Sequence, residues 1–197
     1  MNETAPTTRL RKARQPRPAA ATFTRTQQAL HWLSALLILA MFPMGLVMAR
    51  TDSESLRSSL YAAHAAVGVA IALVAVVRMT LTRRRPVAPP PGMPRWNEVL
   101  HRSVHVLALV VPVLLALSGI GTLATNGLLP SALQPGSVIP AVLEDARAQT
   151  GHRVMAYAYA ALLFTHVAGV MRYQRTKGNV MARMGVKGFP TGPAEHN

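Results

Sequence analysis

Four runs of apolar residues, 28–48, 60–81, 99–125 and 152–173, dominate this chain, and its charges lie almost entirely between and outside them. Each run is about 20 residues or more, enough at a helical rise of about 1.5 Å per residue to cross a hydrocarbon core of about 30 Å. A soluble core would interleave polar and apolar residues at helix or strand period, and these runs do not. Only 14% of the residues are charged, against roughly 25% in an ordinary soluble domain. The expected fold is an all-α membrane protein, a four-helix transmembrane bundle. The first run is longer than the roughly 7–15 apolar residues of a cleaved signal peptide and has three spans behind it, so it reads as an uncleaved helix. Pro43 and Pro112 fall inside spans, where lipid tolerates a kink only if neighbouring groups satisfy the freed carbonyl.

Four spans put both termini on one side. That side collects 17 of the 21 Lys and Arg residues, and the other holds Arg50, Arg57, Arg147 and Arg153. The excess of cations marks the cytoplasmic face, so both termini are expected to be cytoplasmic and the membrane to be the bacterial inner membrane, crossed several times. A net charge of +14 raises the question of nucleic acid, but cations that flank apolar spans serve orientation, and no nucleic-acid partner is expected. The chain then divides into a basic, Pro-containing tail over 1–25 that reads as disordered, a four-helix domain over 26–174, and a second basic tail over 175–197. Cysteine is absent, which excludes disulfides, iron–sulfur clusters, thiolate-ligated haem and covalent C-x-x-C-H haem attachment together.

Chemistry must then come from histidine. Six of the seven, His31, His64, His101, His105, His152 and His166, lie in or at the ends of the spans, where ionisable groups are costly and default to function; only His196 lies in a tail. One such residue alone would be an interfacial side chain bonded to a nearby carbonyl. Depth separates the set. The first span runs outward and the fourth inward, so His31 and His166 reach similar inner depths. The second span also runs inward, which puts His64 at the outer end with His152. The 14 residues between His152 and His166 rise about 21 Å and stop about 40° short of four turns, so both leave one helix face. Helical bundles build cofactor sites from such facing side chains. Zinc would want four ligands at one depth, whereas two bis-imidazole haem sites stacked across the bilayer fit this pattern.

These residues carry a resemblance. Leu30-His31-Trp32, His64 with Gly68 and Arg78, the Pro-rich inner loop, His101 and His105, the His152-to-His166 spacing and the segment 175–184 together resemble the bacterial cytochrome b561 family. That family includes the cytochrome b subunits of nickel-iron hydrogenases and a superoxide oxidase. The resemblance covers about residues 25–185 and implies two haem b groups, the inner ligated by His31 and His166 and the outer by His64 and His152. The sequence departs from the family's pattern at Ala65-Ala66 after His64, where Lys-Ser is common. It departs again at Tyr173-Gln174, where a His pair is often seen.

Arg78, 14 residues after His64, either pairs with an inner haem propionate or snorkels to the cytoplasm. His105 is the deeper of the i, i+4 pair with His101, and suits a propionate, a quinone carbonyl or a proton relay. For His101 an ordinary interfacial role is expected. Trp32 reads as an interfacial belt residue or a ring packed on a cofactor, and Gly68, Gly119, Gly121 and Gly169 as points of close approach. Arg57 and Arg153 would steer a small anion if they gather at the outer site, or else are ordinary loop charges. The functional expectation is electron transfer from a periplasmic one-electron donor, such as superoxide, to membrane quinone, with ubiquinone as acceptor and lipid as the surrounding partner. The alternative is a haem-bearing anchor that relays electrons from a partner redox protein within a dehydrogenase or hydrogenase complex. The topology is checked directly by fusions at the C-terminus. A fluorescent protein there is expected to fluoresce and an alkaline phosphatase to stay inactive, and the opposite pattern would reverse the orientation.

Overall fold

The computed structural model describes residues 22–90, 93–134, 137–140, 146–176, 178 and 180–188. Most of the expected N-terminal tail and His196 lie outside these residues. The elements are α1 (Arg25–Met48), α2 (Glu54–Arg84), α3 (Arg95–Thr125), α4 (Leu129–Leu133), α5 (Ala146–Thr176) and α6 (Val180–Arg183), with no β-strand among the described residues. The four long helices are each long and apolar enough to cross a membrane. Each begins before its apolar run, because polar residues cap and extend it into the interface. At α1 the Thr24 hydroxyl accepts from the Gln27 N–H at 3.2 Å, while Gln27 Oε1 accepts from the Thr24 N–H at 3.0 Å. This capping box satisfies two orphan donors. At α2 the Ser53 hydroxyl accepts from the Leu56 N–H, Glu54 sits in the first turn and Arg83 and Arg84 in the last, charges that complement the helix dipole.

The surface is built for lipid. Leu36, Leu39, Leu73, Leu117 and Phe164 are all more than half exposed, while Ile71, Ala75, Leu109 and Tyr159 lie inside. In water such a surface would be driven to associate; in hydrocarbon it costs nothing, and the helices are held by close packing and polar contacts instead. This is a multi-pass membrane bundle.

The helices do not close on one another evenly. α1 packs on α2, α2 on α3, and α3 on α5, but among the described residues no Cα of α1 or α2 comes within 8 Å of one in α5. Packed helices ordinarily sit about 8–10 Å apart between axes, so a gap separates α5 from α1 and α2.

Pro112 lacks the N–H that would bond the carbonyl four residues back, and so frees the Ala108 carbonyl inside the membrane. Tyr159 of α5 supplies the missing donor: its hydroxyl donates to Ala108 O at 3.1 Å, and the side chain is buried. The proline kink in α3 and the packing of α5 onto it are therefore one interaction.

Both ends of the bundle carry a further segment. At the end expected to face outward (the outer end), Gly127, at φ 65°, turns the chain out of α3 in a conformation that glycine adopts without strain. From there α4 and residues 137–140 fold back over the bundle. Leu123, Ala132 and Ile139 form a small core there, packed against Tyr61, Ala65, Leu128 and Leu129. Arg57 fastens this cap, donating from Nε to Ile139 O at 3.3 Å and from Nη1 to Thr51 O at 3.0 Å. The Ser58 hydroxyl accepts from the Ile139 N–H at 3.0 Å. At the inner end, α6 and its neighbours form a strap beneath α1. Gln28 Nε2 donates to Arg183 O at 3.1 Å, and Trp32 Nε1 donates to Met184 O at 3.0 Å. Arg183 in turn donates to Ala88 O in the inner loop, and fully buried Gln174 accepts from the Met181 N–H. Part of the basic segment expected as a tail is thus docked on the bundle.

Tyr159→Phe is expected to cost about 1 kcal/mol, the usual scale of a membrane hydrogen bond. Pro112→Ala returns an N–H to the Ala108 carbonyl, so Tyr159→Phe should cost less than half as much in that background. Reversible unfolding in mixed micelles measures both; equal costs in the two backgrounds would refute the coupling.

Candidate functional site

At the outer level, α2 contributes His64 and α5 contributes His152 across the gap, with ring centres 6.2 Å apart. Each ring lies against a glycine of a neighbouring helix. A Cβ built at Gly45 of α1 would sit 3.3 Å from His64 Cε1, and one at Gly119 of α3 would sit 3.4 Å from His152 Cε1. Of the small residues expected to allow close approach, Gly119 does so at His152 and Gly68 faces Met41, whereas Gly121 and Gly169 meet nothing within 4 Å. A methyl or larger group at 45 or 119 would thus press on an imidazole. His152 Nδ1 lies 2.8 Å from the Ser118 hydroxyl, whereas His64 Nδ1 is buried with no hydrogen-bond partner.

At the inner level, α1 and α5 bring His31 and His166 to 6.4 Å between ring centres. His105 of α3 stands edge-on to His166 at 5.1 Å and 82°, and His101 lies 4.1 Å from His105. A carbonyl only accepts, so the 2.6 Å contact between His105 Nδ1 and His101 O puts the proton on Nδ1 and leaves Nε2 bare. Arg78 reaches from α2 to place Nη2 3.0 Å from His31 Nδ1. A guanidinium has no acceptor, so the His31 nitrogen accepts in this arrangement. Trp32 packs edge-on against His31 at 5.2 Å while its indole N–H holds the strap.

Between α5 and its neighbours runs a half-open cleft lined mainly by apolar side chains, with about 1100 Å³ of empty space when its open margin is included. His64, His152, Tyr61, Thr122, Gln149 and Tyr159 bring its polar atoms, with Met41, Gly68 and Gly119 among the walls. Tyr159 is seven residues from both His152 and His166, two turns from each on the same helix, and so stands between the levels.

The donor set discriminates among possible occupants. Two imidazoles on opposite sides of one metal, each bonded at about 2 Å, hold their ring centres roughly 6 Å apart. The His31–His166 and His64–His152 separations match that distance, and the shorter contacts of His105 with His166 and with His101 do not. Among the described residues no group of three or more His, Asp or Glu converges as a cage for a bare ion. Opposed imidazoles without further protein donors suit an iron whose equatorial ligands come from a macrocycle, and a large apolar cavity beside them suits its bulk. The residues fit haem.

Sequence reasoning missed three residues here, Ser118, Gly45 and Tyr159. Ser118, beside the expected Gly119, interrupts an apolar helix, and Gly45 closely follows Pro43 in α1, which are faint signals. Tyr159 was legible only through its two-turn spacing from both histidines. Arg57 is 8% exposed and spent on two carbonyls, so it clamps the cap instead of standing open as a steering charge; Arg153 is exposed beside His152.

The profile of the prokaryotic cytochrome b561 family matches residues 22–186. None of the curated proteins compared with the chain matches it. Gly45→Val and Gly119→Val should each deplete haem from the outer level while the inner level keeps its own, as read by redox-resolved spectra of the purified variants. Equal loss from both levels would mean that these glycines do not seat the outer imidazoles.

Proposed function

The chain belongs to the prokaryotic cytochrome b561 family, whose members carry electrons through haem b in the membrane. On that premise we propose that it takes single electrons from a small donor at the periplasmic face, such as superoxide, and delivers them to quinone near the cytoplasmic side. In this reading both termini are cytoplasmic. His64 and His152 hold an outer haem b, and His31 and His166 hold an inner one. The observation that carries this is the pair of imidazole separations, 6.2 Å and 6.4 Å, at two levels of one bundle. Each haem b, when bound, supplies a one-electron ferric–ferrous couple.

The protein's own residues do the rest. His105 orients His166 through edge contact, and its bare Nε2 is free to take up a proton and pass it to the reduced quinone. Arg78 has a second use. A His31 that coordinates through Nε2 keeps its proton on Nδ1, which turns the guanidinium away and frees it for a propionate carboxylate, where bidentate pairing is strong. Tyr159 fills the space between the levels and excludes water from it. The Arg57-clamped cap lies at the outer end, where exposed Arg153 gives an anion a local attraction. With superoxide the overall balance is two superoxide anions, one quinone and two protons giving two dioxygen molecules and one quinol. His105 and His101 at the inner end are placed to handle those protons.

The purified chain is expected to carry two haem b per polypeptide with low-spin reduced-minus-oxidised bands. His152→Ala should remove mainly the outer haem and His166→Ala mainly the inner one; loss of one common haem in both variants would overturn the two-site reading. Superoxide generated in situ should reduce the protein and, with ubiquinone present, yield ubiquinol. Failure of that reduction in a two-haem protein would point to the alternative, a relay subunit that receives electrons from a partner enzyme.

A further inference from the structure

We propose that Ser118 fixes the proton of His152 and strengthens it as a ligand, making the two imidazoles of the outer level chemically unequal; the inference rests on the reading of this level as a haem site. The Ser118 hydroxyl makes two contacts, 2.9 Å to Leu115 O in its own helix and 2.8 Å to His152 Nδ1 across the helix boundary. A hydroxyl has one hydrogen, and a carbonyl can only accept. The hydrogen therefore goes to Leu115, and the oxygen accepts from His152. His152 must then carry its proton on Nδ1, which leaves Nε2 as the ring's only lone pair.

The neighbouring residue completes the seat. Gly119 has no side chain where a Cβ would stand 3.4 Å from His152 Cε1 and 3.6 Å from Nδ1, so the imidazole edge lies flat against α3 beside its acceptor. His64 receives nothing comparable. It also lies against a glycine, Gly45, but its Nδ1 is buried with no partner. An acceptor on the far nitrogen of a ligating histidine fixes its tautomer and raises its basicity, and removal of such a partner commonly costs 10–100-fold in metal affinity. A more basic axial imidazole favours the ferric state. Ser118 thus lowers the potential of the outer level through His152 alone. Ser118 is a positioning residue: it touches neither donor nor acceptor.

The test is Ser118→Ala in the full-length, haem-loaded protein. A redox titration should find the outer haem's midpoint shifted to more positive potential, the inner one unmoved, and the outer haem's dissociation constant raised about 10-fold or more. Ser118→Thr, which keeps the hydroxyl, should restore both values. Ser118→Cys, which nearly keeps the volume but accepts weakly, should move the potential in the same direction by less, and serves if the alanine variant does not fold. In haem-free protein with ¹⁵N-labelled histidine, the rings of His105 and His152 should show the Nδ1–H tautomer, and only His152 should lose it in Ser118→Ala. An outer potential and a tautomer that both stay put in the alanine or cysteine variant would overturn the inference. A wild-type protein with no haem at the outer level would instead overturn the reading of the site.

Discussion

An imidazole carries two ring nitrogens that need partners, and hydrocarbon offers none. Six histidines in four membrane-spanning helices are therefore expected to face inward, and this constrains how the bundle can pack. Its consequence is visible in the packing itself. α1, α2, α3 and α5 touch only in succession, and α5 stays away from α1 and α2 where the imidazoles of each pair face one another. A bundle packed for its own sake would close that gap. Here the space lies between opposed ring nitrogens, and the helices stand apart by roughly the width of a bis-imidazole metal site.

A bundle with an open seam has to be held at its ends, and two different devices do this. The outer cap turns on a buried guanidinium. Arg57 joins the carbonyls of Ile139 and Thr51 and so ties the loop after α4 to the start of α2. The inner strap uses neutral side chains. Gln28, Trp32 and Gln174 bond backbone groups of residues 181–184, which fastens the end of α5 to the start of α1. In the middle, Pro112 and the Tyr159 hydroxyl join α5 to α3 at a place where lipid would punish a bare carbonyl. Each device satisfies backbone groups.

The two levels differ in how their imidazoles are supported. His152 has a hydroxyl acceptor and His64 has no partner, whereas the inner level is crowded by His105, His101, Arg78 and Trp32. On the proposed two-haem reading, this asymmetry of support would give the two levels different affinities for an electron.

The number of spans, their order and the depth matching of His31 with His166 and of His64 with His152 were all legible in the sequence. Hydrocarbon thickness, the positive-inside bias and helical rise leave little freedom in those quantities. Helix ends were read short, since polar caps such as Thr24 with Gln27 carry helices beyond their apolar runs. Lateral relations were not legible. No periodicity states that Tyr159 reaches the carbonyl freed by Pro112, that Arg57 turns inward to clamp a cap, or that residues 180–188 dock under α1. Depth alone also leaves His105 level with His31 and His166. The tertiary structure distinguishes their contacts: His31 and His166 stand 6.4 Å apart between ring centres, while His105 packs edge-on against His166 at 5.1 Å. Depth is set by one coordinate along the membrane normal, which sequence position encodes directly. Which side chain meets which at a given depth depends on the rotation and tilt of four helices, and these are decided by packing between residues far apart in the chain.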